Sequence, residues 1–503
     1  MKIHEIEDLF PLIEIQKNTN NKIVGLCHGV FDVLHYGHIE YFKFAKSKCD
    51  LLVVSVTSDR YVGKGPNRPF FNAEIRMKTL EAIEHIDFVC LSDYENSVKV
   101  ISLIKPDMYF KGKEYADNED LSGNLELESR EVEKQNGRII FSEGIVFSSS
   151  KIINNNLLTL PDETKNWLKE FSKKFSNKDF FSTIDKISKL KLLIIGEAIQ
   201  DEYVDCEVLG KTSKSHVVAF KEIKQESHLG GTLSIANHIS QFVESVSLFS
   251  AIDFSKVSGE KMSPDLNSNI VEISKTKSEI IKKRRYLNHI DKSKLFEVYS
   301  TDFIDFRIEE RKLIKENIIE LLPNYDLVVV ADYGHGLIDD ELAQIICDNS
   351  NYLCLNVQSN AGNRGLNTLS KYKRANYVSV NGDELFLETK KQNLNVFDAA
   401  SEISNRMRLK YLTITNGKEG LLIFDAKEKK IIDLPALTNQ VKDRVGAGDA
   451  LFAITSIFGY YSSAVNIGFF GNVAGANAVS HHGNNWVLRR EDFVKQTEYL
   501  LKF

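Results

Sequence analysis

Long apolar runs, closely paired cysteines and an excess of positive charge are all absent from this sequence of 503 residues. No stretch of about 18 consecutive apolar residues occurs, so no membrane-spanning helix is predicted. The six cysteines contain no Cys-x-x-Cys pair, and several stand inside apolar runs, where cysteine behaves as a small hydrophobic residue. We therefore expect reduced thiols and no structural zinc site.

The charge balance is mildly acidic, with a net charge of −6 at pH 7. This balance disfavours a dedicated nucleic-acid-binding protein, whose surface would be basic. Residues 1–10 carry several acidic side chains and no apolar core of signal-peptide length, which predicts a cytoplasmic protein. Small molecules are the expected partners, rather than nucleic acid or a membrane.

Short apolar segments alternate with helical segments through both halves of the chain. Strands are predicted at residues 23–27, 51–56, 88–91, 108–110 and 139–141, and again at 192–195, 327–330, 352–357, 377–380 and 411–415. This alternation is typical of α/β proteins with parallel sheets. Residues 155–189 are polar, charged and weakly helical, which indicates a linker. We therefore predict two doubly wound α/β domains, at 1–154 and 190–503.

The first stretch with recognisable chemistry is His35-Tyr36-Gly37-His38, which lies between a predicted strand and a predicted helix. Backbone N–H groups at a helix N-terminus attract phosphate, and Gly37 lets the backbone approach it closely. The imidazoles of His35 and His38 can donate hydrogen bonds to a transferring nucleotidyl group. With Phe31 and Asp32 just before it, this stretch resembles the signature of the cytidylyltransferase-like nucleotidyltransferase family over residues 20–155. The resemblance implies a Rossmann-like domain in which His35 and His38 are catalytic.

The same resemblance implies further contacts with the nucleotide. The residues concerned are Phe31, Asp32, Gly37, Lys46, Arg76, Lys111, Gly112, Ser148 and Ser149. Lys111 and Gly112 follow a predicted strand end, where α/β sheets place their ligands, although a plain turn is the alternative. Ser148-Ser149-Ser150 open a predicted helix, with hydroxyls placed as N-caps or as phosphate donors.

The second such stretch is Gly446-Ala447-Gly448-Asp449, which precedes the helical run 450–458. Its backbone N–H groups can form an anion hole for a transferring γ-phosphoryl group, and Asp449 can take the proton of an attacking hydroxyl. Together with Gly230-Gly231, this stretch resembles the signature of the ribokinase/pfkB family of sugar kinases over residues 190–500. The resemblance implies a ribokinase-like fold with Asp449 as the catalytic base.

This second resemblance also implies roles for residues spread over the domain. Asp201, Gly230 and Gly231 would bind the sugar. Asn381 and Glu384 would lie near the Mg²⁺–phosphate network, with an ordinary turn before a helix as the alternative. The remaining ATP and anion-hole contacts would come from Thr415, Gly417, Gly420, Gly446, Ala447, Gly448 and Asn472. The implied cofactors are ATP and Mg²⁺, and no metal ion held directly by side chains is predicted.

In combination, the two regions resemble the bifunctional heptose-phosphate kinase/nucleotidyltransferase family with its domain order reversed. This resemblance implies a kinase that forms a sugar 1-phosphate. It also implies a transferase that uses ATP, in preference to CTP, to make a nucleotide-activated sugar for surface polysaccharide.

Two departures from the kinase family fall on the sugar side. Thr232-Leu233-Ser234 stands where the family has Ala-x-Asn, and Ser213-Lys214-Ser215-His216-Val217 stands where it has Ser-Pro-Glu-Ala-Pro. We therefore expect a different sugar or sugar phosphate. The alternative is a nucleotidyltransferase with a catalytically silent, regulatory kinase-like domain. The identity of the sugar, and the choice between a monomer and a homo-oligomer, stay open.

Overall fold

The computed structural model describes residues 2–63, 68–112, 124–142, 160–253, 266–274, 276, 278–300, 303–360, 362–390 and 395–503. The chain forms two compact units. The first unit comprises Met1–Thr159, Leu168–Lys174 and Glu491–Phe503, and the second comprises Leu160–Trp167 and Phe175–Arg490. The sequence predicts continuous domains at 1–154 and 190–503, whereas neither unit of the structure is one continuous stretch of chain.

The first unit is built on one parallel sheet. Its strands are β1 (Ile3–His4), β2 (Val24–Gly29), β3 (Leu51–Thr57), β4 (Phe88–Ser92), β5 (Met108–Lys111) and β6 (Arg138–Phe141). They lie in the order β1-β4-β3-β2-β5-β6, and each adjacent pair runs parallel. The direction of winding reverses between β2 and β5. The crevice at the carboxyl ends of these two strands is therefore where a ligand is expected.

Helices cover both faces of this sheet. They are α1 (Ile6–Asn20), α2 (Tyr36–Lys46), α3 (Ala73–Glu81), α4 (Val98–Ile104) and α5 (Asn124–Lys134). All seven residues of β3 are buried, and they alternate between two cores. Val53 packs in one core with Leu9 and Ile101, and Val54 packs in the other with Phe42. Burial on both faces explains why the strands of a parallel sheet are continuous apolar runs, and the strands predicted at 51–56, 88–91 and 108–110 are confirmed.

The second unit contains a large sheet and a small one. Its strands are β7 (Leu192–Gly196), β8 (Ala198–Lys211), β9 (Val218–Gly231), β10 (Val246–Phe249), β11 (Ile270–Glu272), β12 (Ile281–Asn288), β13 (Lys294–Tyr299), β14 (Leu327–Asp332), β15 (Leu353–Val357), β16 (Tyr377–Asn381), β17 (Tyr411–Thr415), β18 (Leu421–Asp425) and β19 (Lys430–Leu434). In the described residues, the large sheet has the order β11-β10-β7-β14-β15-β16-β17-β18-β19. Only β18 and β19 run antiparallel to their neighbours. Winding reverses between β7 and β14, which predicts a second ligand crevice there.

The remaining helices begin within the predicted linker and continue between and after these strands. They are α6 (Asp162–Ser172), α7 (Asn177–Ser188), α8 (Thr232–Ser240), α9 (Ile308–Leu321), α10 (Asp340–Asn349), α11 (Gly382–Thr389), α12 (Val396–Met407), α13 (Ala447–Gly459), α14 (Ala464–Ala478) and α15 (Arg490–Leu500). The predicted linker 155–189 thus contains two helices. In α7, Phe180 is buried and its ring stacks on that of Phe470 at 5.4 Å. None of the helices in the described residues has both the length and the apolar character that a bilayer-spanning segment requires.

The small sheet has the order β13-β12-β8-β9 and is not predicted from the sequence. Strands β8 and β9 are each 14 residues long and pair antiparallel. Their outer halves are exposed, and residues 221–226 of β9 are all exposed. Because this part of the strand has no buried face, its sequence lacks the apolar alternation that marks a strand.

Candidate active sites

The first candidate site lies at the carboxyl end of β2, where the chain enters α2. His35 is the N-cap residue of α2, and His38 lies in its first turn. The backbone N–H of His35 donates to Nδ1 of His38 over 3.3 Å, and the two imidazole centroids are 4.1 Å apart. Because Nδ1 of His38 accepts this bond, a neutral His38 carries its proton on Nε2. Two imidazoles and a helix N-terminus therefore meet at the reversal point of the sheet, an arrangement suited to binding phosphate.

The surroundings of His35 favour the neutral form of its imidazole. Burial lowers its pKa, because the charged form loses hydration in the partly enclosed crevice. A neutral imidazole can donate one hydrogen bond and accept another. Its chemistry is therefore that of a positioned hydrogen-bond donor rather than a permanent charge.

Phe31 and Asp32, both predicted nucleotide contacts, are held by protein partners. Phe31 is buried and has a φ of 50°. The carboxylate of Asp32 accepts hydrogen bonds from the backbone N–H groups of Phe70 at 2.8 Å and Phe71 at 2.9 Å. It also forms an ion pair with Nη2 of Arg68 at 3.2 Å, and both side chains are only 1% exposed. These contacts tie the loop after β2 to the loop before α3 and so shape the crevice.

Two predicted cationic contacts are also committed to protein atoms. The Arg76 guanidinium donates to three backbone carbonyls, those of Val30, Thr57 and Phe71, and pairs with Asp59 at 2.6 Å. Lys111, at the carboxyl end of β5, pairs with Glu128 at 2.6 Å. Both cations therefore organise the loops of the crevice.

Lys46 lies at the far end of α2, away from the two histidines. Its ammonium pairs with Asp87 at 2.6 Å and donates to the carbonyl of Asp50. An 11-residue helix is about 16 Å long, so the structure does not bring Lys46 to the crevice. Gly37 is in the first turn of α2 and Gly112 follows β5, whereas Ser148 and Ser149 lie outside the described residues.

The second candidate site lies at the N-terminus of α13. Gly446 is the N-cap residue and has a φ of 80°, a left-handed conformation that favours glycine. Ala447 and Gly448 begin the helix, so α13 itself gives their backbone N–H groups no carbonyl partner, and the N–H of Ala447 donates to the carbonyl of Arg444 at 3.3 Å. This geometry can form the anion hole that the sequence predicts.

Asp449 follows in the first turn of α13. Its Oδ1 accepts hydrogen bonds from the hydroxyl of Tyr333 at 3.1 Å and from the side-chain amide of Gln358 at 2.9 Å. Burial, with the nearby charge of Asp201, raises the pKa of Asp449 to about 6, against the opposing effects of these hydrogen bonds and of Lys283. A carboxyl group with this pKa is mostly ionised at pH 7 yet more basic than an ordinary aspartate, as a general base requires.

Asp201 of β8 lies near enough to Asp449 for the two charges to interact. Its carboxylate forms an ion pair with Arg285 and accepts a hydrogen bond from the side-chain amide of Asn484 at 2.7 Å. Gly230 leaves room for this carboxylate, since a Cβ at that position would lie 2.5 Å from Oδ2 of Asp201. Gly231 is the N-cap residue of α8. The three predicted sugar-side residues are thus brought together.

Lys283 of β12 is a buried cation at this site. Its side chain lies 5.4 Å from the ring centroid of Tyr299 and 5.8 Å from that of Tyr333. Burial lowers its pKa, while the carboxylates of Asp201 and Asp449 act in the opposite direction. No carboxylate in the described part of the chain lies within 4 Å of its ammonium. An ammonium in this position can interact with a phosphate or a transferring phosphoryl group.

The ATP-side predictions fall on strand ends and turns. Asn381 and Glu384 form a reciprocal cap at the start of α11. The backbone N–H of Glu384 donates to the side chain of Asn381 at 2.8 Å, and the backbone N–H of Asn381 donates to the carboxylate of Glu384 at 2.9 Å. Thr415 ends β17, and Gly417 and Gly420 form the turn that follows. The amide of Asn472 donates to the carbonyl of Pro435 at 3.0 Å. The structure thus gives Asn381, Glu384 and Asn472 well-defined contacts within the protein.

Sequence reasoning missed several residues of the second site. These are Lys283, Arg285, Tyr333, Gln358 and Asn484, which come from four separate segments. Two of them carried a usable signal, because Tyr333 and Gln358 directly follow β14 and β15, at the strand ends where ligands bind. The other three had no recognisable pattern.

Comparison with known families assigns both regions of the chain. Residues 26–155 match the cytidylyltransferase-like family, and residues 189–487 match the pfkB family of carbohydrate kinases. The second match covers more than half of the chain. The order of the two matches agrees with the order that the two sequence signatures predict.

Curated relatives resemble only part of the chain. The bifunctional protein HldE of Campylobacter jejuni (strain RM1221) is 36% identical over 154 residues, which cover 30% of this chain and 31% of that protein. HldE of Sulfurimonas denitrificans (strain ATCC 33889 / DSM 1251) is 38% identical over 115 residues, which cover 22% and 24%. This chain therefore spans less than a third of the length of the curated relatives that it matches, and the similarity falls on its N-terminal part.

One solved structure similar to the second unit is phosphofructokinase-2 from Escherichia coli in complex with potassium. It is 16% identical in sequence, and the alignment covers 62% of this chain and 99% of that one, with a TM-score of 0.48.

Proposed function

The chain belongs to the pfkB family of carbohydrate kinases, and from that premise we propose that it is a bifunctional enzyme. Its second unit phosphorylates a sugar or sugar phosphate with ATP. Its first unit transfers a nucleotidyl group to a sugar phosphate and releases pyrophosphate. Together these steps give a nucleotide-activated sugar of the kind used to build surface polysaccharide.

The kinase proposal rests chiefly on the position of Asp449. This carboxylate stands in the first turn of α13, directly after the anion-hole residues 446–448, and the charge of Asp201 acts on it from the sugar side. In phosphoryl transfer, positioning and electrostatic stabilisation supply most of the rate. Asp449 takes the proton of the attacking sugar hydroxyl, while the N–H group of Gly448 and the positive end of the α13 dipole stabilise charge on the transferring phosphoryl group.

Lys283 and Arg285 give this site positive charge on the sugar side. Arg285 is neutralised by Asp201 and Glu297, whereas Lys283 lies near enough to Asp201 and Asp449 for its charge to interact with both carboxylates. Lys283 therefore provides the charge that an anionic group needs there. That group is either the transferring phosphoryl group or a phosphate already carried by the sugar.

A magnesium ion accompanies the nucleotide in this proposal. Mg²⁺ takes oxygen ligands and keeps several of its waters. Glu384 fits such a water shell, because its carboxylate lies just beyond the carboxyl end of β16 and, among the residues that the structure describes, accepts hydrogen bonds from two backbone N–H groups, those of Asn381 at 2.9 Å and Ser359 at 3.4 Å. When bound, the ion neutralises phosphate charge.

The transferase proposal is supported by the pairing of His35 and His38 at the reversal point of the first sheet. The two imidazoles and the N-terminus of α2 can donate hydrogen bonds to the phosphates of a nucleotide and stabilise charge as pyrophosphate leaves. We favour ATP over CTP as the nucleotide, because Arg68 and the segment 111–115 resemble the heptose-phosphate enzymes more than glycerol-phosphate cytidylyltransferases. Base choice depends on pocket contacts beyond the two histidines.

Two product assays on the full chain test these proposals. In the first assay, a panel of sugars and sugar phosphates is screened with ATP and Mg²⁺ for ADP formation. In the second, each phosphorylated product is supplied with each of the four nucleoside triphosphates, and the release of pyrophosphate is measured. ADP formation with one sugar and pyrophosphate release with ATP are the expected results. A preference for CTP would overturn only the choice of nucleotide. Pyrophosphate release from a supplied sugar 1-phosphate, with no ADP from any sugar, would favour a silent kinase-like domain.

A further inference from the structure

Helix α15 and the residues after it form part of the first unit, although they follow the whole second unit in the sequence. Neither family match includes them, since the two matches end at residues 155 and 487. More than half of the helix is buried, including Phe493, Thr497 and Tyr499. The segment 491–503 is therefore a packed element of the first unit that the two known families do not account for.

One face of α15 lies against the loops at the crevice. Asp492, Lys495 and Tyr499 are spaced by three and four residues and so share one side of the helix. A Cβ on Gly63 would collide with the carboxylate of Asp492 and would lie 3.3 Å from Cδ of Lys495. The guanidinium carbon of Arg68 lies 5.1 Å from the ring centroid of Tyr499. The helix thus contacts both sides of the loop that precedes α3.

Tyr499 covers the cation that ties the two crevice loops together. The side chain of Arg68 is 1% exposed and pairs with Asp32, which also accepts the N–H groups of Phe70 and Phe71. An aromatic ring over a guanidinium stabilises it and excludes water from its face. The ring of Tyr499 therefore favours the arrangement in which Arg68 remains paired with Asp32.

Lys495 adds positive charge next to the end of β2. His28 is the penultimate residue of β2, and burial, followed by the charges of Lys111 and Lys495, lowers its pKa to about 3. Lys111 is neutralised by Glu128 at 2.6 Å, whereas the ammonium of Lys495 and the carboxylate of Glu491 are 4.0 Å apart. Lys495 is 29% exposed, so part of its side chain is accessible to solvent.

We propose that the segment 491–503 completes the nucleotidyltransferase centre of the first unit. In this arrangement Tyr499 is a positioning residue that keeps Arg68 against Asp32, and Lys495 binds the phosphates of the incoming nucleoside triphosphate. The expected effects on catalysis rest on the proposed nucleotidyl transfer. The positioning of Arg68 by Tyr499 does not depend on that proposal.

Paired variants of the full chain test both roles. Tyr499→Leu removes the aromatic ring, and Tyr499→Phe, which keeps the ring, is its control. Lys495→Met removes the positive charge, and the same substitution at the exposed Lys502 is its control. We expect Tyr499→Leu to lower kcat/KM for pyrophosphate release about 10-fold and Lys495→Met to raise KM for the nucleotide about 10-fold, the scale of one charge-assisted contact. Tyr499→Phe, Lys502→Met and ADP formation from the sugar should stay near wild type.

Hydrogen–deuterium exchange separates this inference from the proposed function. Tyr499→Leu, and not Tyr499→Phe, should speed exchange in residues 28–38 and 68–76. If the wild-type chain releases no pyrophosphate with any nucleotide, the transferase proposal fails, and the exchange result still decides the positioning role. Unchanged exchange and unchanged pyrophosphate release in Tyr499→Leu would overturn the inference, as would an equal loss of ADP formation in the same variant.

Discussion

The hydroxyl of Tyr333 donates a hydrogen bond to Oδ1 of Asp449 over 3.1 Å. Tyr333 is itself fixed by Glu197, whose carboxylate accepts the backbone N–H of Tyr333 at 3.0 Å and that of His335 at 3.1 Å. The proposed catalytic base, Asp449, is therefore oriented by Tyr333, which directly follows β14. Tyr333 is held in turn by Glu197, which directly follows β7. Both strands flank the point where the winding of the large sheet reverses.

Replacing Asp449 by asparagine should abolish most of the sugar phosphorylation. The amide preserves the shape of the side chain but cannot accept the proton, so the rate of ADP formation should fall roughly 10²-fold or more. Pyrophosphate release by the first unit should be unchanged, and a thermal unfolding transition like that of wild type controls for folding of the second unit. Undiminished phosphorylation in this variant would refute the role of Asp449.

Sugar phosphorylation should depend on pH through Asp449. Its pKa is raised to about 6 by burial, and the base acts only when it is deprotonated. The rate should therefore be maximal above this value and should decline tenfold per unit as pH falls below it. A profile of kcat/KM for the sugar between pH 5 and 8 measures this; a rate that stays flat down to pH 5 would contradict it.

Tyr333→Phe should move that midpoint to higher pH. The hydroxyl of Tyr333 stabilises the ionised form of Asp449, so its removal makes the carboxylate easier to protonate. The same pH profile, recorded for Tyr333→Phe beside wild type, reports the shift. A midpoint displaced to lower pH would show that the hydrogen bond has the opposite effect.

Alanine at His38 should reduce nucleotidyl transfer by roughly 10²–10³-fold, the effect of losing one transition-state donor. His35→Ala should act similarly, and ADP formation should survive in both. Lys46→Met is the matched control, because Lys46 stands in the last turn of the same helix. We expect its pyrophosphate release to stay near wild type. Normal transfer in both histidine variants would leave the loop with a structural role only.

Lys283→Met should impair the kinase without disturbing its fold. Methionine keeps most of the buried stem but removes the charge, so kcat for ADP formation should fall about 10²-fold. If the lysine instead binds a phosphate carried by the sugar, the loss appears mainly as a higher KM for that sugar. Initial rates over a range of sugar concentrations distinguish these two cases, and unchanged values of both constants would exclude either role.

The sequence predicts most inner strands of the six-stranded and nine-stranded sheets because these strands are buried on both faces, whereas β1, β10, β11, β18 and β19 are not predicted. Apolar runs such as 51–56 and 327–330 are continuous for that reason, and the glycine-containing stretches before α2 and α13 mark the turns between strand and helix. Both family assignments follow from these two stretches and are confirmed by the family matches.

Contacts that depend on side-chain partners could not be predicted in the same way. Arg76 and Lys111 stand near the first crevice, but their cations are bound by Asp59 and Glu128, which are distant in sequence. Lys283 stands on a strand without an apolar pattern, and its place beside Asp449 is set by the pairing of β12 with β8. A one-dimensional pattern identifies the turn that binds phosphate, whereas the surrounding charges depend on the folded neighbours.

The discontinuity of the first unit has a consequence for the order of events during translation. Its sheet emerges from the ribosome early, but Glu491–Phe503 is made only after the whole second unit. At typical elongation rates of about 5–20 residues per second, the delay is on the order of tens of seconds. A nascent chain would therefore contain a complete second unit before Tyr499 exists to cover Arg68, and a product truncated before residue 491 would keep the β2–α2 loop while lacking its last supporting helix.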